Sequence, residues 1–123
     1  MRGHKFIVSG EPAVARNTVY ASLESQGFKL KPINDWSADA ERGSAVASIM
    51  LGSLAGKQGR HVKLRVTCQT APEGMVITLE EGTSGASGGL LGASQAKKIY
   101  KEIYTIVGTA FQGAGVLISG NNL

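Results

Sequence analysis

A chain of 123 residues is the size of one domain and long enough to bury a core without disulfides or a structural metal. Its composition, 42% hydrophobic and 18% charged, opposes that of a disordered chain, and the single cysteine, Cys68, excludes an intrachain disulfide. The net charge of +4 favours acidic partners only weakly, because the basic residues are scattered rather than gathered into a tail.

In chain order, His4 to Gly10 reads as a first strand with Phe6 and Val8 on one face. Ser9-Gly10-Glu11-Pro12 then reads as a helix start: a small capping residue, an early acid, and proline in the first turn. Ala15, Val19 and Leu23 make one buried stripe of that helix, and Gly27 follows as the C-terminal glycine, free to take positive φ. The apolar run Phe6-Ile7-Val8 is too short for a signal peptide, so a cytosolic protein is expected.

Phe28-Lys29-Leu30-Lys31 alternates as a half-buried strand with its lysines outward, and Pro32 marks an edge or the strand's end. Trp36, Ala38 and Ala40 alternate with Ser37, Asp39 and Glu41 as a further strand, Trp36 being a core or rim anchor. Gly43 to Gly56 admits two readings. Val46, Ile49, Met50 and Leu54 form a face of a helix capped by Ser44, or of a strand with a bulge at Gly52; neighbouring strands slightly favour the second.

The clearest β signal is a hairpin. Val62, Leu64, Val66 and Cys68 alternate with His61, Lys63, Arg65 and Thr67, and the turn Ala71-Pro72-Glu73-Gly74 leads into Met75 to Glu80. With Thr70 opposite Met75, Arg65 faces Glu80 and Thr67 faces Thr78 outside, while Val66 meets Leu79 and Cys68 meets Ile77 inside. Cys68 is then a buried apolar filler rather than a nucleophile.

Gly82 to Gly92 is a charge-free glycine and serine loop. From Ser94 or a neighbour, a final helix carries Ile99, Tyr100, Ile103, Ile106, Val107, Ala110 and Phe111 on one side. Lys97, Lys101, Thr105, Thr109 and Gln112 line the other. Gly113 and Gly115 end it; Val116-Leu117-Ile118 adds a short strand or tucks against the sheet, and Asn121-Asn122-Leu123 is expected to fray. Ile103 to Leu123 is uncharged and near the length of a membrane span, but its threonines, asparagines and glycines argue against one.

The expected class is α+β, one domain over residues 1–123: an antiparallel sheet packed against a long C-terminal helix, in the order β-α-β(3–5)-α. That order resembles the TATA-box-binding-protein-like and helix-grip group, in which an antiparallel sheet curls around its last helix. The Gly43-Ser44 step and the loop of Gly85, Gly88, Gly89 and Gly92 also look like features of small bacterial proteins without an assigned function. The helix-grip group holds carriers, enzymes and DNA binders, so the resemblance implies architecture and leaves function open.

Several constellations bear on chemistry. Gly85, Gly88, Gly89 and Gly92, with Lys97 and Lys98 in the first turn of the following helix, suit an anion or another ligand, although the spacing matches neither common phosphate motif. His61, Lys63 and Arg65 form a basic strand face for nucleic acid, without the aromatic residues that stack bases and with Glu80 opposite Arg65. Asp39 and Glu41 share a strand face, a carboxylate pair of the kind used in acid–base work. His4 and His61 have no partner at metal-ligand spacing, and no serine lies in a nucleophile motif. The expectation is a non-enzymatic ligand-binding or interaction domain without a cofactor. It would take a small apolar or anionic ligand near the sheet–helix junction and the glycine loop, and self-associate as a homodimer if the charge-free stretches form a patch. The alternative is a nucleic-acid-associated protein using the basic strand.

Overall fold

The computed structural model describes residues 3–42, 62–82 and 92–123, with only the backbone described for 92–96. In chain order the described elements are β1 (Gly3–Val8), α1 (Pro12–Ser25), β2 (Lys29–Asn34), β3 (Ser37–Arg42), β4 (Val62–Ala71), β5 (Gly74–Glu81), α2 (Gly92–Gly113) and β6 (Leu117–Asn122). The class is α+β: among the described residues, two helices and a six-stranded sheet ordered β2-β3-β4-β5-β1-β6, antiparallel throughout. The stretch from Gly43 to Gly56, for which helix and strand were both open, lies outside the described residues.

The β4–β5 hairpin has the register that its side chains dictate. Thr70 pairs with Met75, Thr67 with Thr78, Val66 with Leu79 and Cys68 with Ile77. Cys68 is buried, and that burial pushes its thiol up to about 11, so it is a poor nucleophile at neutral pH. Pro32 lies on β2, an edge strand, where a missing N–H breaks no interior ladder.

The inner faces of the strands supply Phe6, Val8, Leu64, Val66, Ile77 and Leu79 to one core. Ala15, Val19 and Leu23 of α1 and Ile99, Tyr100, Ile103, Val107 and Phe111 of α2 complete it. Burial of each large apolar side chain contributes roughly 1.5–3 kcal/mol, which is what holds both helices against the sheet. One position on α2 departs from the expected stripe: Ile106 is 39% exposed and Tyr104 only 8%. A tyrosine fits inward where its hydroxyl has a partner, and Tyr104 finds one in Glu81.

Two further expectations are corrected at the helix termini. Pro12 begins α1 as expected, but Glu11 is the N-cap and makes no side-chain capping bond. Ser9 instead donates from its backbone N–H and from Oγ to the Val116 carbonyl, at 2.8 and 3.3 Å, with Gly10 turning the chain at φ 97°. The chain also does not finish on α2. Gly115, at φ 75°, reverses it into β6, which pairs with β1 from Val8↔Leu117 to His4↔Asn122 with a bulge between Ile7 and Val8.

The tail expected to fray is thereby tied down. Asn121 and Asn122 pair with Lys5 and His4, and the Leu123 N–H donates to the Gly3 carbonyl at 3.0 Å. No helix among the described residues is long and apolar enough to cross a membrane; the uncharged stretch from Ile103 divides between α2 and β6.

Candidate functional site

Residues three and four apart share one face of a helix, and Lys97, Lys101, Thr105, Thr109 and Gln112 form such a line on α2. Across from them stand Gly3, His4 and Phe6 of β1 and Leu117 and Asn122 of β6. The two rims bound a groove of about 720 Å³, within the range of small-molecule sites. From Lys97 to Gln112 the helix rises about 22 Å.

Rings form much of the groove. His4 stacks on Tyr104 with centroids 5.2 Å apart and planes 22° from parallel, and lies 4.6 Å from Phe6. Tyr104 continues to Tyr100 at 6.2 Å, and Phe6 to Phe111 at 5.7 Å. Two glycines keep this wall closely packed: a Cβ on Gly108 would stand 3.1 Å from the Phe6 ring, and one on Gly120 would stand 3.1 Å from His4 Nε2.

Most of the polar tips in this wall are engaged by the protein itself. Tyr104 donates its hydroxyl to Glu81 Oε2 at 2.9 Å, and Tyr100 donates to the Lys63 carbonyl at 3.0 Å. His4 Nδ1 lies 3.0 Å from Asn122 Oδ1, which accepts from the tautomer protonated there. Thr105 and Thr109 donate back to the carbonyls of Lys101 and Thr105, at 2.9 and 2.8 Å. Burial, and then the Glu81 carboxylate, raise Tyr104 far above the ordinary tyrosine value, so it remains a neutral donor. Lys97 and Lys101 are different: both are exposed, and neither has an acidic partner among the described residues.

The residues expected to bind an anion are divided by the fold. α2 begins at Gly92, so Lys97 and Lys98 lie in its second turn, beyond the short reach of the helix terminus, and not in the first turn as expected. Lys97 lines the groove and Lys98 is exposed outside it. Gly85, Gly88 and Gly89 lie outside the described residues, as does His61.

The basic strand face is present but occupied. Arg65 Nε donates to Asp39 Oδ1 at 2.6 Å and Nη2 to Oδ2 at 3.5 Å, while Lys63 Nζ lies 3.5 Å from Glu41. That hydrogen bond raises Arg65 above its ordinary value. Lys31 and Lys29 stand opposite Asp39 and Glu41 on the other side, and Glu80 stands opposite Arg65. The carboxylate pair considered for acid–base work is therefore the acidic half of a charge ladder, which explains its spacing without catalysis.

A second, smaller pocket of about 280 Å³ lies between the end of α1, Arg42 and α2. Arg42 is buried there, its guanidinium 4.9 Å from the Phe28 ring centroid and donating to the Gln26 carbonyl at 3.3 Å. Burial lowers its pKa, and Glu102 partly opposes that shift. Among the described residues, no group of three or more histidine, cysteine or acidic side chains is arranged to hold a metal ion.

His4, Glu81, Tyr104 and Asn122 belong to the groove but were not among the expected site residues. A signal for two of them exists in strand parity. His4 shares the face of Phe6 and Val8, and Glu81 that of Ile77 and Leu79, so each places a polar group on a core-facing strand surface. No known family model matches the chain, and no curated protein matches it.

Proposed function

We propose that this domain is a non-enzymatic ligand-binding protein whose site is the groove between α2 and the β1–β6 edge. The observation that carries the reading is a concave surface backed by nearly buried rings, with Leu117 and Leu123 at its open side and most polar tips engaged within the protein, beside two exposed lysines without acidic partners among the described residues. Such a surface gains by burying apolar groups and by accepting an anion at the lysines. The same arrangement weighs against catalysis: Tyr104 is held protonated and the Glu81 carboxylate is engaged by it.

An antiparallel sheet covered by α2 is what the likeness to helix-grip and TATA-box-binding-protein-like domains implies, and a sheet–helix junction is where a carrier of that kind would hold its ligand. A cytosolic setting suits a lone buried thiol, Cys68, which stays reduced there. Nucleic-acid binding gains no support from the geometry, because Lys63 and Arg65 would first have to exchange Glu41 and Asp39 for phosphates.

Native mass spectrometry of the protein purified from its own host, repeated after denaturation, tests the proposal. The expected outcome is a non-covalent mass excess that disappears on unfolding. A bare monomer that also takes up nothing from a host metabolite extract would end the ligand-binding reading, and a bare dimer would move the function to self-association.

A further inference from the structure

Resting on the groove as the binding site, we infer that its ligand is a single-chain amphiphile with an anionic head, the head at Lys97 and Lys101 and the chain along the rings toward Leu117. Three features of the groove lead to this class. Its charge is placed at one end: Lys97 and Lys101 stand one turn apart, while the rim beyond them, Thr105, Thr109 and Gln112, is uncharged. Its one carboxylate, Glu81, accepts the Tyr104 hydroxyl and keeps its negative charge, so the two lysines exceed the acid of the groove by a single positive charge.

Its polar capacity is also lower than its residue types suggest. The threonine hydroxyls are turned onto helix carbonyls, and His4 is bonded to Asn122. A ligand rich in hydroxyls or amides would find the Gln112 and Asn122 amides and little else, so most of its polar groups would lose water without an equal return. A hydrocarbon chain loses nothing by the same move.

The third feature is length. A bilayer hydrocarbon core about 30 Å thick holds two opposed tails, so one tail reaches about 15 Å. The helix rise of about 22 Å between Lys97 and Gln112 accommodates that tail plus a head. A compact anion would use the lysines and leave the ring-lined part empty, whereas an uncharged chain would leave the lysines unpaired.

Laurate, used below its micellar concentration, is the probe. Isothermal titration should show laurate bound, butyrate at least tenfold weaker, and dodecyltrimethylammonium not bound. The double substitution Lys97→Glu/Lys101→Glu changes two exposed side chains and leaves the core alone; it should weaken laurate about tenfold or more, with an unchanged circular dichroism spectrum. Equal binding of the cationic amphiphile, butyrate as tight as laurate, or laurate unaffected by the charge reversal each overturn the inference. Absence of laurate binding also overturns it. If native mass spectrometry still finds a carried ligand, the groove keeps its function and only the ligand class is wrong.

Discussion

Lys63 and Lys101 are both exposed lysines on a small basic protein, yet they sit in opposite circumstances. Lys63 belongs to the outer face of the sheet, where basic β2, acidic β3 and basic β4 stand side by side and Arg65 faces acidic Glu80 on β5. Lys101 belongs to the rim of a groove whose acid is engaged by a tyrosine. The outer face carries more charge and has less of it to offer. Density of charge in a sequence therefore misleads about binding; what matters is charge left over after strand pairing has matched opposite signs. The two sheet edges differ in the same sense. β2 is guarded by Lys29, Lys31 and Pro32, whereas β6 has neither charge nor proline and contributes instead to the groove.

The largest effect expected from breaking this comparison comes at Phe6, which is core and groove wall at once. Its ring is 3% exposed and packs on Phe111, His4 and the bare backbone of Gly108. Phe6→Ala should cost about 3–5 kcal/mol in urea unfolding and abolish ligand uptake together with it. A loss under about 1 kcal/mol would mean that the groove wall is a surface lining independent of the core.

An alkaline titration separates the faces by a smaller margin. Cys68 has a folded value of about 11 against an ordinary 9.0, because burial disfavours its thiolate. A group raised in this way contributes stability that is complete below about pH 9 and is lost as pH rises through about 11. The total is bounded at roughly 2–3 kcal/mol. Tyr104 and Tyr20, both raised chiefly by burial, extend the loss upward. Arg65, raised by its hydrogen bond to Asp39, stays charged throughout, so its ion pair with Asp39 should persist in this window. Urea midpoints from pH 8 to pH 11 measure the curve. A flat profile, or the same decline in Cys68→Ala, would remove the buried thiol as its cause.

The α+β class and the antiparallel sheet of the described residues were legible in the sequence, because alternation and turn chemistry are local. The β4–β5 register follows from matching both faces at once, and Gly27 takes φ 93° where a helix had to stop. β6 was harder to read. Leu117, Gly120 and the two asparagines have no alternation, and their place is set by backbone bonds to β1 and by the His4–Asn122 contact. The groove was half legible: the polar line on α2 was plain, but it read as a solvated side, since nothing local says that β1 and β6 come up beside it. Glu81 was the missed clue, an acid at the parity of Ile77 and Leu79. The lysines fall beyond the first turn because α2 begins at Gly92, ahead of the capping signal at Ser94 or a neighbour.

The smallest effect tests the outer face directly. If Lys63 and Arg65 are silent only because Glu41 and Asp39 engage them, neutralising those acids should wake a latent basic surface. Asp39→Asn/Glu41→Gln raises the net charge from +4 to +6, two carboxylates being removed. Binding of a single-stranded oligonucleotide at low salt should strengthen about tenfold, and the salt slope should steepen by about 1.4 for two freed cations on a single strand. Groove binding should not change, because neither residue lines it. The comparison reverses if the wild-type protein already binds oligonucleotide tightly with a steep salt dependence: the ladder would then open for phosphates, and the β4 face would be the functional one. No gain in the double variant would show instead that sheet geometry, without aromatic residues to stack bases, keeps that face from nucleic acid whatever its charge.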